Sequence, residues 1–232
     1  MRTTMRSLPR SARMLLAGVV TAGAAAVAVR LPQVGSWNGR DLIAFVALIA
    51  ATIAGEQLHV AVRFGEQTKH VTMTEASYAA ALLLGVRPSV LTLAVGFGIA
   101  TVYAARRVGG HKVAFNLGSY LVAVTAAELV FAAIHPMGAG LAVIPAMGAF
   151  FAVNASTVVG VIALVEGRSF ASVFAPIARL EVGHTVLNMA AGLLLANVWL
   201  LNPVAVPALA ILPMAAMAAY RQLQPTPVRS VA

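Results

Sequence analysis

The chain has 232 residues, 60% of them hydrophobic and only 10% charged, with a net charge of +9 and a mean hydropathy of +0.89. A soluble fold needs a charged shell that this composition cannot supply, so soluble enzymes and soluble binding domains are excluded and lipid is the main solvent. The absence of cysteine removes disulfides, thiolate catalysis and iron–sulfur or Cys-zinc sites as well.

The expected fold is an all-α polytopic transmembrane helical bundle of about eight spans, because a helix needs roughly 20 apolar residues to cross a core of about 30 Å. In chain order the predicted spans are Met14–Val29, Leu42–Gly55, Thr72–Val86, Ser89–Ala105 and Phe115–Ile134. A sixth runs within Leu141–Val165, the seventh is Val182–Leu201, and an eighth lies between Val204 and Tyr220. The third is short, and with only Arg87-Pro88 before the fourth the two should form a tight helical hairpin. Pro213 should kink the eighth, since it removes an intrahelical hydrogen bond.

Residues 1–13 form a basic cytoplasmic N-terminus, residues 14–221 one transmembrane bundle domain, and residues 222–232 a disordered cytoplasmic tail. Four arginines, an apolar run and Ala26-Val27-Ala28 also fit a cleaved secretory signal, which stands as the alternative for the first span. The longest loop, Glu56–Val71, contains a His59–Phe64 stretch that alternates as a short strand or interfacial segment would. In Gly167–Glu181, Phe170, Val173, Phe174, Ile177 and Leu180 recur at helical spacing, which reads as a surface helix at the cytoplasmic interface.

Charge fixes the expected orientation. Of the 16 Lys and Arg, 13 fall on one side of the eight-span arrangement and three (Arg30, Arg40 and Arg87) on the other. The positive-inside rule then puts both termini in the cytoplasm. The basic residues sit in pairs beside spans rather than in one patch, so topology and anionic headgroups account for them, and no nucleic-acid partner is expected.

Polar residues within spans are expensive in hydrocarbon and turn towards the bundle or a cavity. Glu75 opens the third span, and Asn116 and Tyr120 lie at the cytoplasmic start of the fifth. Glu128 is the deepest acid, about two-thirds through the fifth span, where it must pair, be protonated or face water. Asn154 lies near the middle of the sixth with Thr157 one turn on. On the seventh, His184, Asn188, Gly192 and Ala196 follow at intervals of four and form one stripe. Small residues there admit a close neighbour, and Asn188 can bond across the contact. Ordinary interhelical packing explains the asparagines as well as a ligand does. The ligand-binding or polar-bundle candidates are therefore Glu75, Asn116, Tyr120, Glu128, Asn154, His184 and Asn188. No catalytic residue, metal site or cofactor is expected: soluble-enzyme motifs such as GxSxG, HExxH and the phosphate-binding GxxxxGK[ST] are absent, and the five histidines lack ligand spacing.

His70-Val-Thr-Met-Thr-Glu75-Ala with Arg87-Pro88, Lys112-Val-Ala-Phe-Asn116-Leu, Leu164-Val-Glu166-Gly167, Asn188 and the late Ala218-Ala-Tyr220-Arg221 carry a family resemblance. Together they resemble the N-terminal multi-span input module of actinobacterial GGDEF and HD-GYP cyclic-di-GMP signalling proteins. The resemblance implies a sensory membrane bundle in a bacterial cell membrane. The family's acidic position near the sixth-span centre is Asn154 here, so an acid-dependent role does not carry over. The sequence ends 11 residues after Arg221, so the family's catalytic output does not carry over either. Two functions are expected. One is a sensory or scaffold module, not an enzyme, that binds a small or lipidic ligand and acts through a cytoplasmic signalling partner or a homo-oligomer. The other is a small-solute permease or substrate-binding transporter subunit. They separate on whether the polar residues converge on one enclosed cavity or scatter as helix contacts.

Overall fold

A computed structural model describes residues 8–57, 60–64, 67–71, 74–84 and 89–202. The expected eighth span, the tail at 222–232, the Arg87-Pro88 link and the Ala218–Arg221 motif lie outside the described residues. Seven helices are described: α1 (Arg10–Arg30), α2 (Gly39–Gln57), α3 (Thr74–Leu83), α4 (Ser89–Val108), α5 (Gly110–Ile134), α6 (Ala139–Glu166) and α7 (Phe170–Leu201). Four segments are long and apolar enough to cross a membrane: Arg10–Ser36, Gly110–Met137, Ala139–Glu166 and Val182–Leu201. The protein is a helical membrane protein.

Apart from the helices the described residues include a short antiparallel hairpin of β1 (Val60–Phe64) and β2 (Gln67–Val71), in which Val60 pairs with Val71 and Phe64 with Gln67, so β1 falls on the stretch read as a short strand or interfacial segment. Val60, Val62, Thr68 and Val71 of the hairpin are β-branched, which favours extended backbone. Three sequence expectations need correction, in the third span, the surface helix and the N-terminus. The third expected span, Thr72–Val86, is a helix of ten residues, about 15 Å long and half of what a crossing needs. All its residues from Thr74 to Leu82 are buried. Apolarity there reflects contact with protein rather than lipid, and α3 packs chiefly on α7 and α2, not on α4 as a tight hairpin would. The surface helix and the seventh span are one helix of 32 residues, because Arg179 and Glu181 interrupt polarity without interrupting helical geometry. Finally, residues 10–13 belong to α1 rather than to a tail: the Arg13 N–H donates to the Pro9 carbonyl at 3.0 Å, and proline just before a helix gives up no needed donor.

Local chemistry sets the ends. At the start of α2, Asn38 and Asp41 cap each other reciprocally: the Asp41 N–H donates to Asn38 Oδ1 at 3.0 Å and the Asn38 N–H to Asp41 Oδ2 at 3.1 Å. Gly109 alone separates α4 from α5, at φ +97°, a conformation open to glycine and strained for other residues. Gly167 ends α6 in the left-handed conformation, and the Arg168 N–H closes the last turn on the Ala163 carbonyl.

Contacts give the helix directions. Leu16 and Val19 pack with Phe115, Gly23 meets Gly118, and Arg30 meets Glu128, so α1 and α5 run parallel. Tyr78 of α3 donates to the Val124 carbonyl while Glu75 meets Tyr120, so α3 also runs with α5. Thr52 bonds Ser77 and Glu56 bonds Thr74, which sets α2 antiparallel to α3. The odd-numbered helices thus run one way, and α2, α4 and α6 the other. The main core lies among α3, α4, α5 and α6 around Tyr78, Phe97, Val124, Met147 and Phe150.

Candidate functional site

The first turn of α3 sits inside the bundle, held from three other helices. Its placement follows from small residues. A Cβ on Gly192 of α7 would lie 2.5 Å from Ala79 Cβ and 2.7 Å from the Ala76 carbonyl oxygen, so α3 and α7 meet backbone to backbone. One turn before Gly192, Asn188 is 0% exposed. Its Oδ1 accepts the Ala76 N–H at 3.0 Å, which satisfies one of the four donors left over at a helix N-terminus, and its Nδ2 donates to the His184 carbonyl at 3.1 Å.

Glu75 is the centre. Its Oε1 accepts the Tyr120 hydroxyl at 2.8 Å, and its Oε2 lies 3.7 Å from His184 Nε2. The two side chains are 7% and 9% exposed respectively. That separation is an ion-pair distance but too long for a hydrogen bond, and Oε2 is buried with no hydrogen-bond partner among the described residues. The Tyr120 ring is fixed by stacking on Phe97 at 4.6 Å and by an edge contact with Phe150 at 5.5 Å. From α2, Glu56 accepts the Thr74 hydroxyl, and Thr52 pairs with Ser77 at 3.0 Å. Both Glu56 and Glu75 therefore stand at the N-terminal end of α3, the end whose dipole favours negative charge.

Of the seven candidates, the structure brings Glu75, Tyr120, His184 and Asn188 together. Asn154 belongs elsewhere: the Ser119 hydroxyl donates to Asn154 Oδ1 at 2.9 Å and also bonds Thr157, a staple between α5 and α6. Glu128 is elsewhere again. Arg30 Nη2 donates to its Oε2 at 2.9 Å, and the Val90 backbone N–H reaches the same carboxylate, so α1, α4 and α5 meet there. Thr125, three residues before Glu128 on α5, donates to the Leu121 carbonyl of its own helix. Asn116 is exposed and apart from the cluster. Sequence reasoning missed Thr52, Thr74 and Ser77. Their signal was present as hydroxyls recurring within apolar helices, but hydroxyls that bond their own backbone give the same pattern, as Ser77 does to the Thr74 carbonyl at 2.7 Å.

Next to Ser77 an apolar groove runs between α2, α3 and α7, lined by Ala44, Ala47 and Ala51, by Ala80 and Leu84, and by Leu195 and Trp199. Among the described residues no group of three or more His, Asp or Glu could hold a metal ion. The cluster offers a carboxylate, an imidazole, a phenol and a carboxamide, groups that can exchange protons or hydrogen-bond a ligand. Comparisons with protein-family models, curated proteins and solved structures find no match.

Proposed function

We propose that this protein is a sensory or scaffold-type module of a bacterial cell membrane, which reads a small or lipidic ligand in the bundle and acts through a cytoplasmic partner. In this reading the chain crosses the membrane eight times with both termini in the cytoplasm, and its role is like that of the input module of the GGDEF and HD-GYP proteins it resembles. The observation that carries it is α3, a buried half-length helix tethered by Glu56, Tyr120, His184 and Asn188 from three different helices. Such an element can shift within a fixed frame and report the shift at the cytoplasmic side. Strand β2 plus α3 supplies about 32 Å of chain, at about 3.3 Å per extended and 1.5 Å per helical residue, enough for a third pass. The helix directions support the same count. Since α1 and α5 run parallel, an odd number of passes must separate them, and α2, the β2–α3 segment and α4 supply three.

One observation favours the transporter reading: a broken helix whose N-terminus ends inside a bundle is how many transporters hold substrate. Against it, the polar groups among the described residues form three separate clusters rather than one lined path. Reconstitution into vesicles separates the two. The expected outcome is uptake of labelled amino acids, sugars and monovalent cations no faster than into protein-free vesicles. Saturable uptake that Glu75→Gln lowers tenfold or more would turn the assignment to a permease.

A further inference from the structure

The buried pair at the centre of the cluster is open. Among the described residues Glu75 Oε2 has no hydrogen bond, and His184 Nε2 stands 3.7 Å away on the facing helix. A proton placed between a carboxylate and an imidazole makes a charge-assisted hydrogen bond of about 2.8 Å. Closing this gap would move the first turn of α3 by about 1 Å towards α7. The second turn cannot follow. Gly192 already lies against the Ala79 side chain and the Ala80 backbone nitrogen, and a Cβ at Gly192 would overlap Ala79 Cβ. The contact is a fulcrum, so closure on one side of it tilts the far end of α3, where Ala80 and Leu84 face Trp199 across the groove.

We propose that the ligand read at this site is a proton, shared between Glu75 and His184, and that its binding tilts α3 against α7 about the Gly192–Ala79 contact. This rests on the sensory reading above and names its input. The proton is delivered by hydronium from the solvent: one of its O–H bonds breaks and leaves water, one O–H or N–H bond forms at the pair, and no other covalent bond changes. The groups facing Glu75 are few. Among described side chains, α7 presents His184, α5 presents Tyr120 hydrogen-bonded to Oε1, and α2 presents Glu56, engaged by Thr74. The described residues of α4 that pack on α3 carry no titratable side chain, and α6 carries only Glu166, at its distant end. Glu128 lies two turns further along α5 and is paired with Arg30. Among the described side chains, His184 is thus the basic group that faces the open Glu75 oxygen.

The chain contains two tryptophans, Trp37 and Trp199, so Trp37→Phe leaves Trp199 as the lone reporter of the α3–α7 groove. In that background, emission of the purified protein in nanodiscs is followed between about pH 4 and about pH 9. The expected result is a single transition with the slope of one proton, flattened by Glu75→Gln and by His184→Gln and retained in Glu56→Gln. A flat titration in the Trp37→Phe protein overturns the proposal, as does a transition that survives Glu75→Gln or His184→Gln unchanged. Should either variant not fold, the other decides, and the parent titration needs neither. A flat titration together with vesicles that show no uptake removes the proton and leaves the sensory reading standing; uptake removes that reading itself.

Discussion

Arg30 and Glu128 show how a single residue acquires its meaning from a distant one. Glu128 stands out in the sequence as an acid deep in an apolar span, and nothing near it in the chain answers its charge. Its partner is 98 residues away, at the last position of α1, with the two side chains 21% and 16% exposed. A pair so placed is shielded from water but within reach of it, so an orphaned Arg30 can turn its head outwards along its own stem. Loss of the charged hydrogen bond should then cost about 2 kcal/mol. Glu128→Gln and Arg30→Gln should each lower stability in detergent by that order, and the double variant should lose clearly less than the sum. Thermal unfolding of the four proteins measures this, and strictly additive losses would show that the two groups do not act on each other. Asn188 was legible for the opposite reason: its neighbours at intervals of four made a stripe that could only be one face of one helix. Asn116 misled because four residues advance about 400°, leaving it about 40° round the helix from Tyr120. Near the start of α5 the cover from α1 and α6 falls on the Phe115 side.

Among elements, length was legible where apolar residues face lipid and illegible where they face protein. The bounds of α5 and α6 differ from those read in the sequence by a few residues, whereas α3 looked like a poor span and is an interior piece. Hydropathy counts apolar side chains without distinguishing lipid from helix as their neighbour. The small residues carry the missing information. At Gly192 no Cβ fits, while at Gly18, also within a helix, nothing lies within 4 Å of the position a Cβ would take. Gly192→Ala should therefore destabilise the protein by about 1–3 kcal/mol through overpacking. Gly18→Ala should be neutral or stabilising, since alanine favours helix by about 1 kcal/mol over glycine. Ala79→Gly in the Gly192→Ala background should restore part of the loss, because Ala79 Cβ is the nearest obstacle but the Ala76 carbonyl remains at 2.7 Å. Equal effects at the two glycines would mean that α3 and α7 are not held by close approach.

At the scale of the molecule, direction and charge constrain the same unknown from independent sides. The distribution of Lys and Arg assigns faces to loops without reference to any contact, and the contacts assign directions to helices without reference to any membrane. Both require the turn at Gly109 to lie on the side where α1 begins. Were the hairpin and α3 a re-entrant dip, only α2 and α4 would separate α1 from α5, and those two helices would run antiparallel. The Gly23–Gly118 and Arg30–Glu128 contacts would then be impossible together. Because the chain has no cysteine, single cysteines report topology directly. Placed at the exposed positions Gly35, Met137, Gly110 and Ser169, they should divide two and two. Gly35 and Met137 should react with a membrane-impermeant maleimide on intact cells, and Gly110 and Ser169 only after permeabilisation. Reaction of Gly110 from the same side as Gly35 would leave an even number of passes between α1 and α5. That result would overturn the third pass, the eight-span count and the cytoplasmic placement of the α4–α5 turn together.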